Sequence, residues 1–326
     1  MAKRIDPKEV KSIVSDEGGK ARNVLMPNET LTLMSGDALM KVEHKPTHRH
    51  WGNLITSEMI GMLYGPRGGG KTYAALGLAV AMSTGKPFLG LKPGHPRKVV
   101  ILDGEMGSKL MKRRLKEMRS SLGADTLGEL LLLTPDMYSH VLPSLATQLG
   151  QAHIDKIIPE DTQVIIVDNV SAWNRGGRED ADGWRPWAEW LLMHKHLGRT
   201  VIVVHHAGKS GGQRGTSNRE DNLDFVIKLK PTPDPVDADA LSFTLSWDKV
   251  RDVGKSAARA IHVTRAEREG KAPKWKYWDV PTMGGRTLEV VEMKEGGMTL
   301  VEIGKKIGKD KSTVSRMLKE AKSTAK

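Results

Sequence analysis

The 326-residue chain contains no cysteine, which excludes a disulfide framework and a thiolate metal site and fits a reducing cytoplasm. Aromatic residues are scarce at 5 %, and no apolar run approaches the roughly 20 residues that a spanning helix needs. The opening MAKRIDPKEVKS is too charged for a secretory signal, so neither export nor a membrane partner is expected. No internal repeat or low-complexity block interrupts the chain. Acid is in deficit: 51 Lys and Arg against 39 Asp and Glu leave a formal charge of +12. Such a surplus points to a polyanionic partner, with nucleic acid first among them.

With 38 % hydrophobic residues the chain can build one large core and a small appendage. Residues 1–50 are mixed in charge and weakly periodic, an N-terminal arm or small subdomain. Their HKPTHRHW places His44, His48 and His50 close together, but the only nearby acid is Glu43 and there is no thiol, so a solvated loop is expected rather than a metal site. From 51 to 282, β-branched apolar runs alternate with amphipathic segments, the pattern of a mostly parallel twisted sheet flanked by helices. Strands are expected at 59–64, 98–103, 129–134, 163–168, 200–205, 225–229 and 241–248. Helices are expected near 71–83, 107–121, 141–157 and 184–197. A Pro/Gly break, PTMGGRT, then sets off residues 290–326.

The segment Gly65-Pro66-Arg67-Gly68-Gly69-Gly70-Lys71-Thr72-Tyr73 stands between a strand-like and a helix-like stretch and fits G-x-x-x-x-G-K-[ST]. Bare glycine amides and a helix N-terminus cradle polyphosphate, Lys71 reaches its terminal phosphates, and the Thr72 hydroxyl meets magnesium. ATP and Mg2+ are therefore the expected cofactors. In open α/β sheets ligands gather at the carboxyl ends of strands, so the residues ending each apolar run matter most. VIIVDN ends in Asp168, a carboxylate suited to magnesium and its waters. VVILDGEM ends in Asp103 and Glu105, and Glu105 is the favoured water-orienting group. VIVVHHAGKSGGQRG ends in His205 and His206 and runs into a Gly-rich basic loop. His205 is a candidate sensor of the terminal phosphate, or else a core histidine, and Lys209 and Arg214 are candidates for phosphate contact.

Taken together, GPRGGGKT, LDGEM, IIVDN, VVHHAGK, RGTSNREDNLD and WDKVRDVG resemble the RecA-like ATPases of the RepA and DnaB hexameric helicase group, over about residues 50–265. The resemblance implies a ring-forming, hexameric ATPase on single-stranded DNA, with Glu105 as catalytic base, Asp168 handling magnesium and His205 linking phosphate to DNA-contacting loops. It also likens Lys249 and Arg251 to a trans-acting lysine and an arginine finger that reach the neighbouring subunit's ATP. The sequence departs from some relatives at Asp224, acidic where they carry a basic finger, and Arg214 and Arg219 are the possible substitutes.

Trp187, Trp190, Leu191 and His194 fall at helical spacing after Pro186 and are expected to pack on the sheet rather than to stack on bases. RGGRED, with Arg175 and Arg178, is the better candidate for a DNA loop. In the tail, GMTLVEIGKKIGKDKSTVSRMLKEAK has two short apolar faces separated by Gly308–Asp310 and resembles a helix-turn-helix. Its second helix would offer Ser312, Thr313, Ser315 and Arg316 to a duplex major groove. The expected fold is thus α/β, a RecA-like P-loop core with a small all-α helix-turn-helix. Its expected activity is that of an ATP-hydrolysing DNA-binding motor, a ring-forming replicative helicase of a plasmid, phage or mobile element; the alternative is an ATP-switched DNA-binding regulator or loader without unwinding activity.

Overall fold

The computed structural model describes residues 33–177, 181–207, 221–232, 240–251, 258–268, 271–280, 290, 293–294 and 297–323. The chain divides into two compact units after Pro46. The first has one described element, the single-turn helix α1 (Gly36–Leu39), started by Ser35, whose hydroxyl accepts the Ala38 amide hydrogen at 3.2 Å.

The second unit opens with a short hairpin, β1 (Arg49–Trp51) and β2 (Ile55–Thr56). There follow β3 (Ile60–Gly65), α2 (Lys71–Thr84), β4 (Val99–Asp103), α3 (Ser108–Ser121), β5 (Leu130–Leu133), α4 (Gln148–Asp155) and β6 (Val164–Asp168). Next come α5 (Val170–Trp173), α6 (Ala181–His196), β7 (Thr200–His206), β8 (Phe225–Pro231), β9 (Leu241–Val250), β10 (Ala260–Arg268) and β11 (Lys271–Val280). Nine of these strands form one sheet in the order β11-β10-β9-β8-β3-β7-β6-β4-β5. From β8 to β5 every neighbouring pair is parallel, whereas β9, β10 and β11 extend the sheet antiparallel. This is the mostly parallel α/β sheet that the alternation of apolar runs implied, and it agrees with the RecA-like core that the motif resemblance led one to expect.

Strands β3, β4 and β6 are buried at every residue, because helices cover both faces and leave no polar side for alternation. One face packs under α2 and α3, where Leu76, Val80, Met111 and Leu115 meet Ile101, Ile166 and Ile202. The other packs under α4, α5 and α6, where Trp173, Trp187, Trp190 and Leu191 meet Ile165, Val167, Val201 and Val203. Each large aliphatic side chain buried this way contributes roughly 1.5–3 kcal/mol. The tryptophan stripe therefore lies in the core, as its spacing indicated. Trp190 adds a hydrogen bond from Nε1 to Asp155 Oδ1 at 2.9 Å, and buried His194 stacks edge-on against Trp190.

Two differences from the expected elements have local causes. The helix expected over 141–157 spans Gln148–Asp155, because Pro143 has no amide hydrogen to give a helix, the Ser144 carbonyl accepts the Thr147 amide hydrogen in a turn at 3.2 Å, and the Thr147 hydroxyl caps the later start by accepting from Gly150. Strands β10 and β11 were not expected at all. The KAPKWKYWDV of β11 interleaves lysine with aromatic residues at the sheet's edge, and the AIHVTRAER of β10, one strand in, mixes buried Ile261 and Val263 with polar and charged residues, so neither reads as an apolar run. Of the three clustered histidines, His50 is buried in the hairpin and His44 and His48 are exposed. No group of ligating side chains able to hold a metal occurs among the described residues.

In the tail, α7 (Leu300–Ile307) begins in a capping box between Thr299 and Glu302. It ends at Gly308, whose φ of 67° lies in the left-handed region that glycine adopts without strain. Helix α8 (Lys311–Ser323) follows, its first turn held by Asp310, which accepts the Thr313 amide hydrogen at 2.7 Å. Val290, Ile303 and Val314 form a small separate core.

Candidate functional site

The loop 66–70 lies where β3 ends and α2 begins, beside the carboxyl ends of β7, β6 and β4. Gly70 holds φ at 85°, and a Cβ there would come within 2.6 Å of the Phe243 ring, so both backbone conformation and space demand glycine. No side chain caps α2 and its first turn has no acid, which leaves amide hydrogens aimed out of the helix as an anion cradle. Lys71, only 6 % exposed, donates from Nζ to the Pro66 carbonyl at 2.7 Å. Burial holds its pKa below the usual lysine range, while the carboxylates of Asp168 and Glu105 oppose that shift. The cradle thus stores a cation whose native partner is a single carbonyl.

Asp168 ends β6 directly across from Asp103 at the end of β4, two carboxylates in register on neighbouring strands. Burial pushes Asp168 up to about 6, against a hydrogen bond from the Thr72 hydroxyl and the charges of Lys71 and Arg114. Asp103, also buried, is pushed up to about 7. Its oxygens accept the amide hydrogens of Met106 at 2.9 Å and Glu105 at 3.3 Å, so it holds the turn that presents Glu105. Glu105 itself is open, with 58 % of its side chain exposed, and its Oε1 lies 3.8 Å from Nε2 of His206.

The sequence reading centred on His205, but the structure brings His206 to Glu105 and leaves His205 inside the sheet with 2 % exposed. Successive side chains of β7 point to opposite faces, so only one of the pair can turn to the site. The Asn169 amide nitrogen lies 3.3 Å from His206 Nε2 and fixes the ring. Burial and the nearby Lys71 hold His206 below the usual histidine range. The register supplies the phase that the sequence lacks: Asp168 pairs with Val204, and His206, two residues on, shares the face of Val204.

Tyr73 is placed differently from the expectation that it would meet the nucleotide. The guanidinium carbons of Arg114 and Arg265 lie 4.6 Å and 5.3 Å from its ring centre, and Trp275 packs at its edge, so only its backbone amide is left to the cradle. Arg67, Pro66 and Gly68 form the exposed rim. A polyphosphate with a divalent cation suits this donor set: uncapped amides, a buried ammonium, and the hard oxygens of Thr72 and Asp168.

Lys249 and Arg251 lie at the other end of the sheet. Gly61 is in register with Phe225 and Phe225 with Val250, which puts Arg251 beside the start of β3. The loop follows the end of β3, about 17 Å farther along the strand. Arg251 donates its amide hydrogen to the Asp224 carbonyl at 2.9 Å and from Nη2 to the Asp221 carbonyl at 2.9 Å, with Nη1 3.5 Å from Asp224 Oδ1. It cannot reach the cradle of its own chain.

Arg175 is exposed after α5, with Nε donating to the Ala172 carbonyl at 3.2 Å. Arg178, Lys209, Arg214 and Arg219 lie outside the described residues. On α8, the hydroxyls of Ser312 and Thr313 donate to Asp310, which turns them inward to the helix start, while Ser315 is half-buried and Arg316 exposed.

The family described as the AAA domain matches residues 27–212, more than half of the sequence. The chain belongs to that family. Its AAA domain includes the cradle, Asp103, Glu105, Asp168 and His206, whereas Lys249 and Arg251 come after the matched region. Among solved structures, a RadB recombinase is 16 % identical with a TM-score of 0.46, over 67 % of this chain and 90 % of that one. A KaiC-like protein of the hyperthermophilic archaeon Pyrococcus horikoshii OT3 is 12 % identical with a TM-score of 0.46, over 71 % of this chain and 100 % of the other. No curated protein sequence matches the chain.

Proposed function

We propose that this AAA-domain chain is an ATP-hydrolysing DNA motor that assembles as a ring, in the manner of a hexameric replicative helicase. The observation that carries the reading is the open Glu105 carboxylate beside His206, facing a cradle built on Lys71. In this reading the amides of residues 66–70 and Lys71 bind the polyphosphate, and Thr72 and Asp168 hold Mg2+. Bound magnesium neutralises charge on the terminal phosphates. Glu105 orients the attacking water and takes its proton, while His206 sits where a change at the terminal phosphate reaches β7 and the loop that follows.

Lys249 and Arg251 complete the site of a neighbouring subunit, a role supported by their distance from their own cradle and by the family resemblance. Single-stranded DNA contacts Arg175 and the loops carrying Arg178, Lys209 and Arg214. The tail, as a separate helix-turn-helix domain over 290–326, contacts duplex DNA through α8. A second reading, an ATP-switched regulator or loader that does not unwind, is favoured by that same tail, since a duplex-reading module suits a protein that stays at one site.

Strand displacement on a forked duplex, measured with and without ATP and Mg2+, separates the two. The motor reading expects ATP-dependent displacement that Lys71→Ala abolishes along with ATP turnover. Hydrolysis without displacement selects the regulator, and near-wild-type hydrolysis by Lys71→Ala overturns the nucleotide site itself.

A further inference from the structure

Helix α3 carries a stripe of charge that the site does not use. Lys109, Lys112, Arg113 and Lys116 follow one another at i, i+3, i+4 and i+7 and are all exposed, opposite the buried stripe Met111, Leu115 and Met118. Like charges at this spacing repel, and cations in a first turn oppose the helix dipole. The stripe therefore weakens the helix that bears it. Among the described residues no ion pair joins these four side chains: the first turn of the helix has no acid, and the one acid within it, Glu117, is held by Arg265 at 3.0 Å. At the N-terminus the Asp136 carboxylate is taken up by Ser108, accepting its amide hydrogen at 2.8 Å and its hydroxyl hydrogen at 2.7 Å. The remaining bases divide by position: Arg114 turns inward over Tyr73, and Arg119 is half-buried.

We propose that the exposed face of α3 is a docking surface for the phosphate backbone of duplex DNA, separate from the loops and from the tail. The argument is charge complementarity in a fixed geometry. From Lys109 to Lys116 the stripe runs about 10 Å along the helix, close to three base-pair steps at about 3.4 Å. No aromatic residue shares the stripe, so it offers phosphate contacts and no platform for unstacked bases; that favours the duplex over a single strand. The inference rests on the nucleic-acid half of the proposed function and not on ATP hydrolysis.

The test uses the full chain with Lys109, Lys112, Arg113 and Lys116 all changed to Gln, titrated with a short duplex of arbitrary sequence over a salt series. Each lost phosphate contact removes about 0.9 from the slope of log K against log salt. The expected result is a slope shallower by about 3.6 and an affinity at least ~10-fold lower near 50 mM salt. Removing the repulsion should leave the melting temperature unchanged or higher, which a merely structural role for the stripe would not give. A control with Lys41, Lys45, Lys92 and Lys156 changed to Gln alters net charge equally and should keep the wild-type slope. A wild-type slope in the stripe variant, an equal loss in the control, a loss confined to single-stranded DNA, or no duplex binding by the unaltered chain each overturns the proposal. DNA binding by the unaltered chain distinguishes the failures: if it binds DNA and the stripe variant binds equally well, only this inference falls, whereas an unaltered chain that binds neither duplex nor single-stranded DNA takes the nucleic-acid half of the proposed function with it.

Discussion

Glu105 and Asp103 are two residues apart, yet one opens 3.8 Å from His206 while the other is closed on two backbone amides. The turn explains the division of labour: a carboxylate already accepting from Glu105 and Met106 has little left for a water. Glu105→Gln should therefore bind ATP normally and turn it over at least ~100-fold more slowly. Nucleotide affinity and steady-state turnover check this. Normal turnover in Glu105→Gln, together with a dead Asp103→Asn, would give the water to Asp103.

Asp103 should make its presence felt in the pH dependence of stability. Its carboxyl is pushed to about 7 by burial, with Asp168 adding to that shift, whereas in the unfolded chain it titrates near 3.8. Between these values the unfolded state releases the proton first, so stability falls as pH rises from about 4 to about 7 and changes no further above that. Asp103→Asn cannot ionise, so its melting temperature, set against the wild type, should compare better at pH 8 than at pH 5. An equal difference at both values would mean that Asp103 is ionised in the folded protein.

The tail makes a third prediction. Its own small core of Val290, Ile303 and Val314 and its local caps at Thr299 and Asp310 suggest a module that can be removed cleanly. Deleting residues 290–326, so that Val290 goes with the core it belongs to, should leave basal ATP turnover intact and weaken duplex binding at one fixed salt concentration. Equal affinity before and after would reject a DNA-reading role for α8.

Much of the sheet was legible because parallel strands announce themselves: VVIL and VIIV are apolar throughout, the second is closed by Asp168, and Glu105 follows the first within three residues. The cradle was legible because its glycines meet a backbone need that few other contexts impose. What escaped was decided by register and by edges. Which of His205 and His206 faces Glu105 depends on a one-residue phase that composition does not reveal. Strands β10 and β11 were hidden because an edge ladder tolerates KAPKWKYW, where lysine alternates with aromatics. Yet Trp275 and Arg265 from these strands enclose Tyr73, so the missed hairpin reshapes the reading of the cradle's last residue.

The relation of Arg251 to Asp224 decides between a ring motor and a solitary ATPase. Asp224 is buried, accepts the Ile60 amide hydrogen at 2.8 Å and pairs with Lys195 at 2.7 Å, so Arg251 meets its carboxylate only at 3.5 Å and is held besides by the 2.9 Å bond from Nη2 to the Asp221 carbonyl. With 49 % of its side chain exposed, Arg251 would exchange both contacts for a neighbour's phosphate, although it cannot reach its own. If it does so, Arg251→Ala should bind ATP like wild type and lose on the order of 10³-fold in turnover. Mixing sharpens the test. An Arg251→Ala chain supplies a sound cradle but no finger, and a Lys71→Ala chain supplies the finger but no working cradle. Where the two meet in the right order, one complete site forms at the interface, so activity should reappear on mixing. If the mixture stays inactive although subunit exchange is verified, or if Arg251→Ala alone hydrolyses normally, Arg251 is a surface residue held by Asp224 and contributes nothing in trans.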